Sequence, residues 1–256
     1  VTESRPTLGP HPLSAVIISR NAATQIEACL KSVAFADEIV VVDSGSSDDT
    51  VEIAKRHCAK VIHQDWLGFG KQKQFAVSQA KHDWVLCIDV DERVNDELRT
   101  SIQKVLCEPT LRIYKMPRRN RFMGRWLQYG EGYPDYSARL FDRRFANWSE
   151  DEVHEKVLAT TPVGSLQGDL LHESEESLVA YLDKQNRYTS LQAEILFQRG
   201  QRASLGRLVV SPLLRFVKFY FFRRGLLDGV PGLVHILIGC FNSFAKYAKL
   251  YALNKK

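Results

Sequence analysis

Short apolar runs alternate with segments whose apolar positions recur every three or four residues along the first hundred positions. Leu13–Ser19 is a β-type run that ends in the polar turn Arg20-Asn21. Residues 24–32 follow, with Ile26, Cys29, Leu30 and Val33 on one stripe, the spacing of a helix. Glu38–Asp43 contains Ile-Val-Val-Val, which predicts a strand buried on both faces. It runs into Asp43-Ser-Gly-Ser-Ser-Asp, a turn in which Asp48 is placed to cap the next helix. Lys60–His63 and Trp84–Asp89 predict two further strands, and residues 70–80 and 95–106 two further helices. Such β-α repeats predict an α/β fold on a mostly parallel sheet with helices on both faces.

Beyond residue 110 the pattern changes. Residues 111–116 read as a strand, and the stretch to about 172 is rich in Gly, Trp, Tyr and Arg, as loops carried on a scaffold are. Helical patterns then cover 175–199, 212–224 and 232–251. The expected organisation is a flexible leader at 1–12, a catalytic domain at 13–174 and a helical tail at 175–256. Ser211-Pro212 reads as a helix start, with Ser as cap and Pro in the first turn. Leu213, Phe216, Val217, Tyr220 and Phe221 form an apolar stripe, which Leu205, Leu208 and Val209 extend upstream. Arg215, Lys218, Arg223 and Arg224 lie outside it.

Charge sharpens this division. The net of +5 is a sum of two unlike parts: residues 1–198 hold 24 basic and 29 acidic side chains, net −5, and residues 199–256 hold 11 basic and one acidic, net +10. A basic amphipathic tail suits the interface of an anionic bilayer. The longest charge-free stretch, residues 229–245, is somewhat short for a span of about 20 residues, and no transmembrane helix is expected. The five cysteines form no C-x-x-C pair and predict free, reduced thiols.

Ligands of parallel α/β sheets bind beyond the carboxyl ends of the strands. Three polar clusters stand there: Ser19-Arg20-Asn21, Asp43-Ser44-Gly45-Ser46 and Asp89-Val90-Asp91-Glu92. Asp89 and Asp91, two residues apart after a buried strand, are placed to serve one hard divalent cation, Mg²⁺ or Mn²⁺, beside substrate phosphates. Asp43 is placed to accept hydrogen bonds from a base or ribose. Neither G-x-G-x-x-G nor G-x-x-x-x-G-K-[ST] occurs, which argues against an ordinary dinucleotide dehydrogenase or a P-loop NTPase.

The segments Val16-Ile-Ile-Ser-Arg-Asn21, Glu38-Ile-Val-Val-Val-Asp-Ser-Gly-Ser-Ser-Asp-Asp-Thr50, Gly70-Lys-Gln-Lys-Gln-Phe75 and Asp89-Val-Asp91 together resemble the family-2 glycosyltransferases of the GT-A fold. Farther on, Tyr133-Pro-Asp-Tyr-Ser-Ala-Arg-Leu-Phe141, Val153-His-Glu155, His172 and Leu226-Leu-Asp-Gly229 resemble the lipopolysaccharide inner-core glucosyltransferases more narrowly. The resemblance implies a metal-dependent, inverting transfer of a hexose, glucose by analogy, from a UDP-sugar to core heptose. It places the enzyme peripherally on the cytoplasmic face of a bacterial inner membrane. Ser19, Arg20, Asn21, Asp43, Ser44 and Gly45 would surround the uridine, and Lys73, Asp89 and Arg139 the diphosphate and sugar. Asp91, with Asp89 and His172, would hold the metal.

An inverting transfer needs one carboxylate to take the acceptor hydroxyl's proton. The resemblance favours Glu155, with Asp151 and Asp135 as rivals. Arg118, Arg119, Arg121 and Arg125 lie in fourteen residues without an acid, from 112 to 125. They read as a platform for the carboxylates and phosphates of a lipopolysaccharide core. No nucleic-acid fold motif accompanies them, so no nucleic-acid partner is expected. The alternatives weighed are transfer to a polyprenyl phosphate, sugar-nucleotide pyrophosphorylase chemistry, which opens on a Gly-rich loop missing here, and a non-catalytic membrane-binding relative.

Overall fold

The structure is a computed structural model that describes residues 10–149, 155–174 and 177–255. The chain divides into two compact units, one of residues 1–118 and 136–172, the other of residues 119–135 and 173–256. The arginine-rich segment from 119 on therefore falls in the second unit.

In the first unit the predicted β-α alternation is realised. Strands β1 (Leu13–Ser19), β2 (Glu38–Asp43), β3 (Lys60–His63), β4 (Trp84–Asp89), β5 (Glu92–Val94) and β6 (Ile113–Phe122) are joined by helices α1 (Ile26–Ser32), α2 (Thr50–Arg56), α3 (Phe69–Ser78) and α4 (Asp96–Cys107). Then come β7 (Arg125–Trp126), which falls in the second unit, and β8 (Asp135–Asp142), β9 (Ala146–Trp148), β10 (Val157–Ala159), β11 (Val163–Ser165) and β12 (Leu170–His172). The main sheet runs β3-β2-β1-β4-β8-β6-β12-β5. Its β3-β2-β1-β4 half is parallel, and β8 joins β4 antiparallel.

Why these strands sit centrally follows from their side-chain alternation. Ala15 and Ile17 of β1 face one apolar layer with Ile26, Leu30, Leu98 and Ile102. Val16 and Ile18 face the other, with Ala76 and Val77 of α3. A strand with a continuous apolar centre is thus buried on both sides. Asn95 caps α4, its side chain accepting from the Leu98 N–H at 2.8 Å and from the Asp169 N–H at 3.1 Å. Asp48 does not occupy the cap position of α2, which falls to Asp49. Its carboxylate instead accepts from Thr50 N–H (3.1 Å) and Ala23 N–H (3.0 Å), tying the start of α2 to the loop before α1. Cys29 and Cys87 are buried, whereas Cys58 and Cys107 are exposed, and all five thiols are free.

The second unit holds α5 (Leu178–Gln198), α6 (Leu205–Val217), a π-helical turn (Lys218–Phe222), a 3₁₀ turn (Gly225–Asp228) and α7 (Gly229–Leu253). Here the sequence reading needs correction. The helix expected from Ser211-Pro212 begins seven residues earlier: Ser204 is the cap, accepting from the Arg207 N–H at 3.2 Å, and Pro212 lies inside α6. The apolar positions upstream of Ser211 are enough to carry the helix. Residues Gly225–Leu253 also form one helix long and apolar enough to cross a membrane by length and composition. The charge-free stretch understated its length because Lys246 and Lys249 lie within the helix.

Candidate active site

Ser19 and Asp43 are register partners at the ends of β1 and β2, and Asp89 ends β4 on the other side of β1, opposite Ile18. Three predicted residues are therefore brought to one edge of the parallel sheet. Asp43 is buried and holds its own loop. It accepts from the backbone N–H groups of Gly45 (3.0 Å) and Ser46 (2.8 Å), and from the hydroxyls of Ser46 and of Ser19 (3.1 Å). Asn21, at φ 48°, accepts the Ser47 N–H at 2.8 Å and donates its own N–H to Ser46 Oγ at 2.8 Å. Ser44 Oγ accepts from Gln72 Nε2 at 3.0 Å, and Arg20 is exposed. Two of the four groups on Asp43 are serine hydroxyls, which can be exchanged without breaking a backbone hydrogen bond.

Beside this loop lies a cluster of buried charge. Lys73, on α3, is 2% exposed, and its Nζ lies 3.0 Å from Asp89 Oδ1 and 2.9 Å from Glu155 Oε1. Arg139, on β8, is 3% exposed, with Nη2 at 2.8 Å from Asp89 Oδ2 and 2.6 Å from Glu92 Oε1. Arg118 Nη1 approaches Glu92 Oε1 at 3.5 Å. The Trp148 ring lies against both buried cations, 4.9 Å from Lys73 Nζ and 5.6 Å from the Arg139 guanidinium. Three cations and three carboxylates thus balance, as buried ions require.

Burial opposes the charge of Lys73, yet the Asp89 carboxylate outweighs it and holds the ammonium above the usual lysine range. Burial likewise pushes the Asp89 carboxyl upward, but Arg139 and Lys73 prevail and hold it well below the usual carboxylate range. Arg139 Nε and Trp148 Nε1 are buried without a hydrogen-bond partner among the described residues, whereas Asp89 Oδ1 has the Lys73 ammonium at 3.0 Å. Asp89 is thus held at both oxygens, Oδ1 by Lys73 and Oδ2 by Arg139.

The predicted metal set is only partly assembled. Asp91 Oδ2 and His172 Nε2 lie 3.2 Å apart, both partly exposed, where β12 pairs with β5. Asp89 is instead clasped by Lys73 and Arg139, and no group of three or more His, Cys, Asp or Glu gathers as metal ligands among the described residues. Asp91 and His172 are by chemistry a carboxylate and an imidazole that would hold a divalent cation, the rest of whose ligands would have to come from outside this pair.

Of the candidate bases, Glu155 lies in the charge cluster. Asp151 is outside the described residues, and Asp135 opens β8 within the second unit. The four arginines read as one platform separate. Arg118 stays in the first unit, whereas Arg119 donates to Leu127 O (3.3 Å), Arg121 pairs with Glu173, and Arg125 donates to Leu227 O (3.1 Å) in the second. Sequence reasoning missed Glu92, Trp148 and Gln72. Glu92 was visible as a third acid after Asp89 and Asp91, but nothing in its spacing showed that it would be fully buried against Arg139. Trp148 fell in a segment without periodicity.

The profile described as Glycosyl transferase family 2 matches residues 14–157. The chain is 32% identical over 265 residues to an uncharacterized glycosyltransferase of Rickettsia prowazekii (strain Madrid E), covering 95% of this chain and 88% of that one. It is 29% identical over 249 residues to the lipopolysaccharide core biosynthesis glycosyltransferase LpsC of Rhizobium meliloti (strain 1021), covering 94% and 92%. Among solved structures, mannosyl-3-phosphoglycerate synthase from Rubrobacter xylanophilus is similar with a TM-score of 0.50 and 19% identity, over 76% of this chain and 77% of that one.

Proposed function

The chain belongs to glycosyl transferase family 2, and from that premise we propose that it transfers a hexose, with inversion, from a UDP-sugar to the heptose of a lipopolysaccharide core. That it is a glycosyltransferase with a GT-A fold is established by the family match. The observation that carries the finer reading is the joining of Asp89 to Glu155 through the single buried ammonium of Lys73. Asp89 stands on the donor side of that ammonium, and Glu155 stands one lysine away to take the proton of the attacking acceptor.

In this reading the Asp43 loop holds the uridine, with Asn21 and Ser44 lining it. Lys73 and Arg139 keep Asp89 ionised and oriented, and Trp148 shields the pair from water. Glu155 is the general base, its carboxylate fixed at 2.9 Å from the Lys73 ammonium that also holds Asp89. A divalent cation, Mg²⁺ or Mn²⁺, would sit on Asp91 and His172 and neutralise the departing diphosphate. Glucose is the proposed sugar, a lipopolysaccharide core the proposed acceptor. The similarity to the Rhizobium core enzyme supports that acceptor class. The basic helices support peripheral association with the cytoplasmic face of the inner membrane.

Substitution of the base tests the assignment. Glu155→Gln is expected to lower transfer by roughly 10²–10⁴-fold while leaving UDP affinity unchanged. Near-normal turnover of that variant in a product assay removes Glu155 from the role.

A further inference from the structure

The second unit contains an amphipathic helix turned inside out. Two polar side chains of α6 face the protein: the hydroxyl of Ser211 pairs with that of Ser243 on α7 at 2.8 Å, and Arg215 pairs with Glu131, Nε to Oε2 at 3.0 Å. Its apolar side chains face away. Leu205 is 74% exposed, Leu213 61% and Leu214 63%. The apolar face continues through the turns after α6, where Phe222 is 80% exposed, and into α7, where Val230 is 68% exposed. A stripe of this size on a water-soluble face is the mark of an interaction surface.

Charge identifies the partner. Arg207, Lys218, Arg223 and Arg224 are all exposed around this face. The one acid of residues 199–256, Asp228, is 1% exposed and is used internally, accepting from the N–H groups of Gln128 (3.0 Å) and Tyr129 (2.8 Å). A second copy of the chain seated on this face would set cation against cation, which disfavours self-association. An anionic lipid surface matches both the charge and the apolar stripe.

The same contacts decide orientation. α7 is long enough to span a bilayer, but it is tied along its length to its neighbours. Asn242 donates to Gln185 of α5 at 2.8 Å, Ser243 pairs with Ser211 of α6, and Lys249 Nζ donates to Asn186 O, Thr189 Oγ1 and Ser190 Oγ, each at 2.8 Å. We propose that α6 and the turn after it form an in-plane wedge, seated at the headgroup boundary of an anionic bilayer, with Phe221 and Phe222 inserted, Arg223 and Arg224 on lipid phosphates, and α7 packed behind rather than spanning. This deepens the membrane-surface reading above and rests on it.

Vesicle binding by the full chain tests the wedge. The probes are phosphatidylcholine vesicles with and without one quarter phosphatidylglycerol. Wild type is expected to sediment with the anionic vesicles. The Phe221→Ser/Phe222→Ser and Arg223→Gln/Arg224→Gln double variants are each expected to lose at least tenfold in partition coefficient. Phe222→Trp is expected to gain blue-shifted emission, relative to wild type, that shallow brominated lipids quench. Equal partitioning of wild type and Phe221→Ser/Phe222→Ser overturns the proposal. So does Phe222→Trp emission that vesicles leave unchanged, or a dimer in sedimentation that Phe221→Ser/Phe222→Ser dissolves without any vesicle binding. UDP affinity, measured on each variant, is expected to match wild type and so reports the fold. A wild type that binds vesicles but not UDP overturns the transferase reading and leaves the wedge standing.

Discussion

Lys73 is a lysine in a place where lysines are rarely found, 2% exposed with two carboxylates on its ammonium. Its position on α3 is explained by what it touches. Asp89 alone would be a partly buried anion at a strand end, and Lys73 and Arg139 make its charged form the stable one. Because Asp89 is held below the ordinary carboxylate range, the unfolded chain binds a proton there before the folded one does. The stability it contributes is full above about pH 4, the usual aspartate value, and is lost as pH falls below it toward the folded value. Wild type is therefore expected to be more stable than Asp89→Asn by a constant margin at neutral pH, a margin that narrows below about pH 4. Denaturant titrations across that range check it; a margin independent of pH down to strong acid contradicts the pairing. Asp43, Asp89 and Lys73 were legible in the sequence because each sits beside a recognisable strand or helix pattern. The clasp on Asp89 was not, since it depends on Arg139 from β8, fifty residues on, and an antiparallel neighbour of β4 leaves no trace in β-α spacing.

At the level of elements, regular pattern and local chemistry agree in the first unit. β1, β2 and β4 coincide with their predicted runs because a strand buried on both faces has a continuous apolar centre, and β3, exposed at both ends, was marked by Val61-Ile62 alone. Short strands fixed by distant partners escaped, β5 and β12 among them, and they carry the Asp91–His172 pair. What locks that region is the approach of the turn before β12 to α4. Gly168 has φ 87°, and a Cβ there would stand 2.1 Å from Leu98 N, inside the turn capped by Asn95. Gly168→Ala is expected to destabilise the first unit by about 1–3 kcal/mol or more, as overpacking and left-handed strain combine. Equilibrium unfolding within about 0.5 kcal/mol of wild type refutes that account. In α6 the sequence failed for a different reason. Ser211-Pro212 has the chemistry of a helix start, yet Ser204 supplies an equivalent cap earlier, and the Ser211 side chain is used against Ser243 instead.

For the whole molecule, the net charge of +5 conceals two bodies with separate electrostatic tasks. The first unit balances its buried ions among themselves at the carboxyl ends of its parallel strands. The second turns its cations and its apolar stripe outward. Three of the four arginines expected to greet the acceptor are occupied in that second unit, holding Leu127, Glu173 and Leu227. The acceptor reading therefore rests on family kinship and the carboxylate pair rather than on a free arginine platform. One measurement bears on the central claim most directly: mass spectrometry of a heptose-terminated lipopolysaccharide core after incubation with the purified enzyme and each UDP-hexose in turn. The account predicts the gain of a single hexose from one donor, abolished by a chelator and restored by Mg²⁺ or Mn²⁺. A core that gains nothing from any UDP-hexose, or a transfer that the chelator leaves untouched, contradicts it.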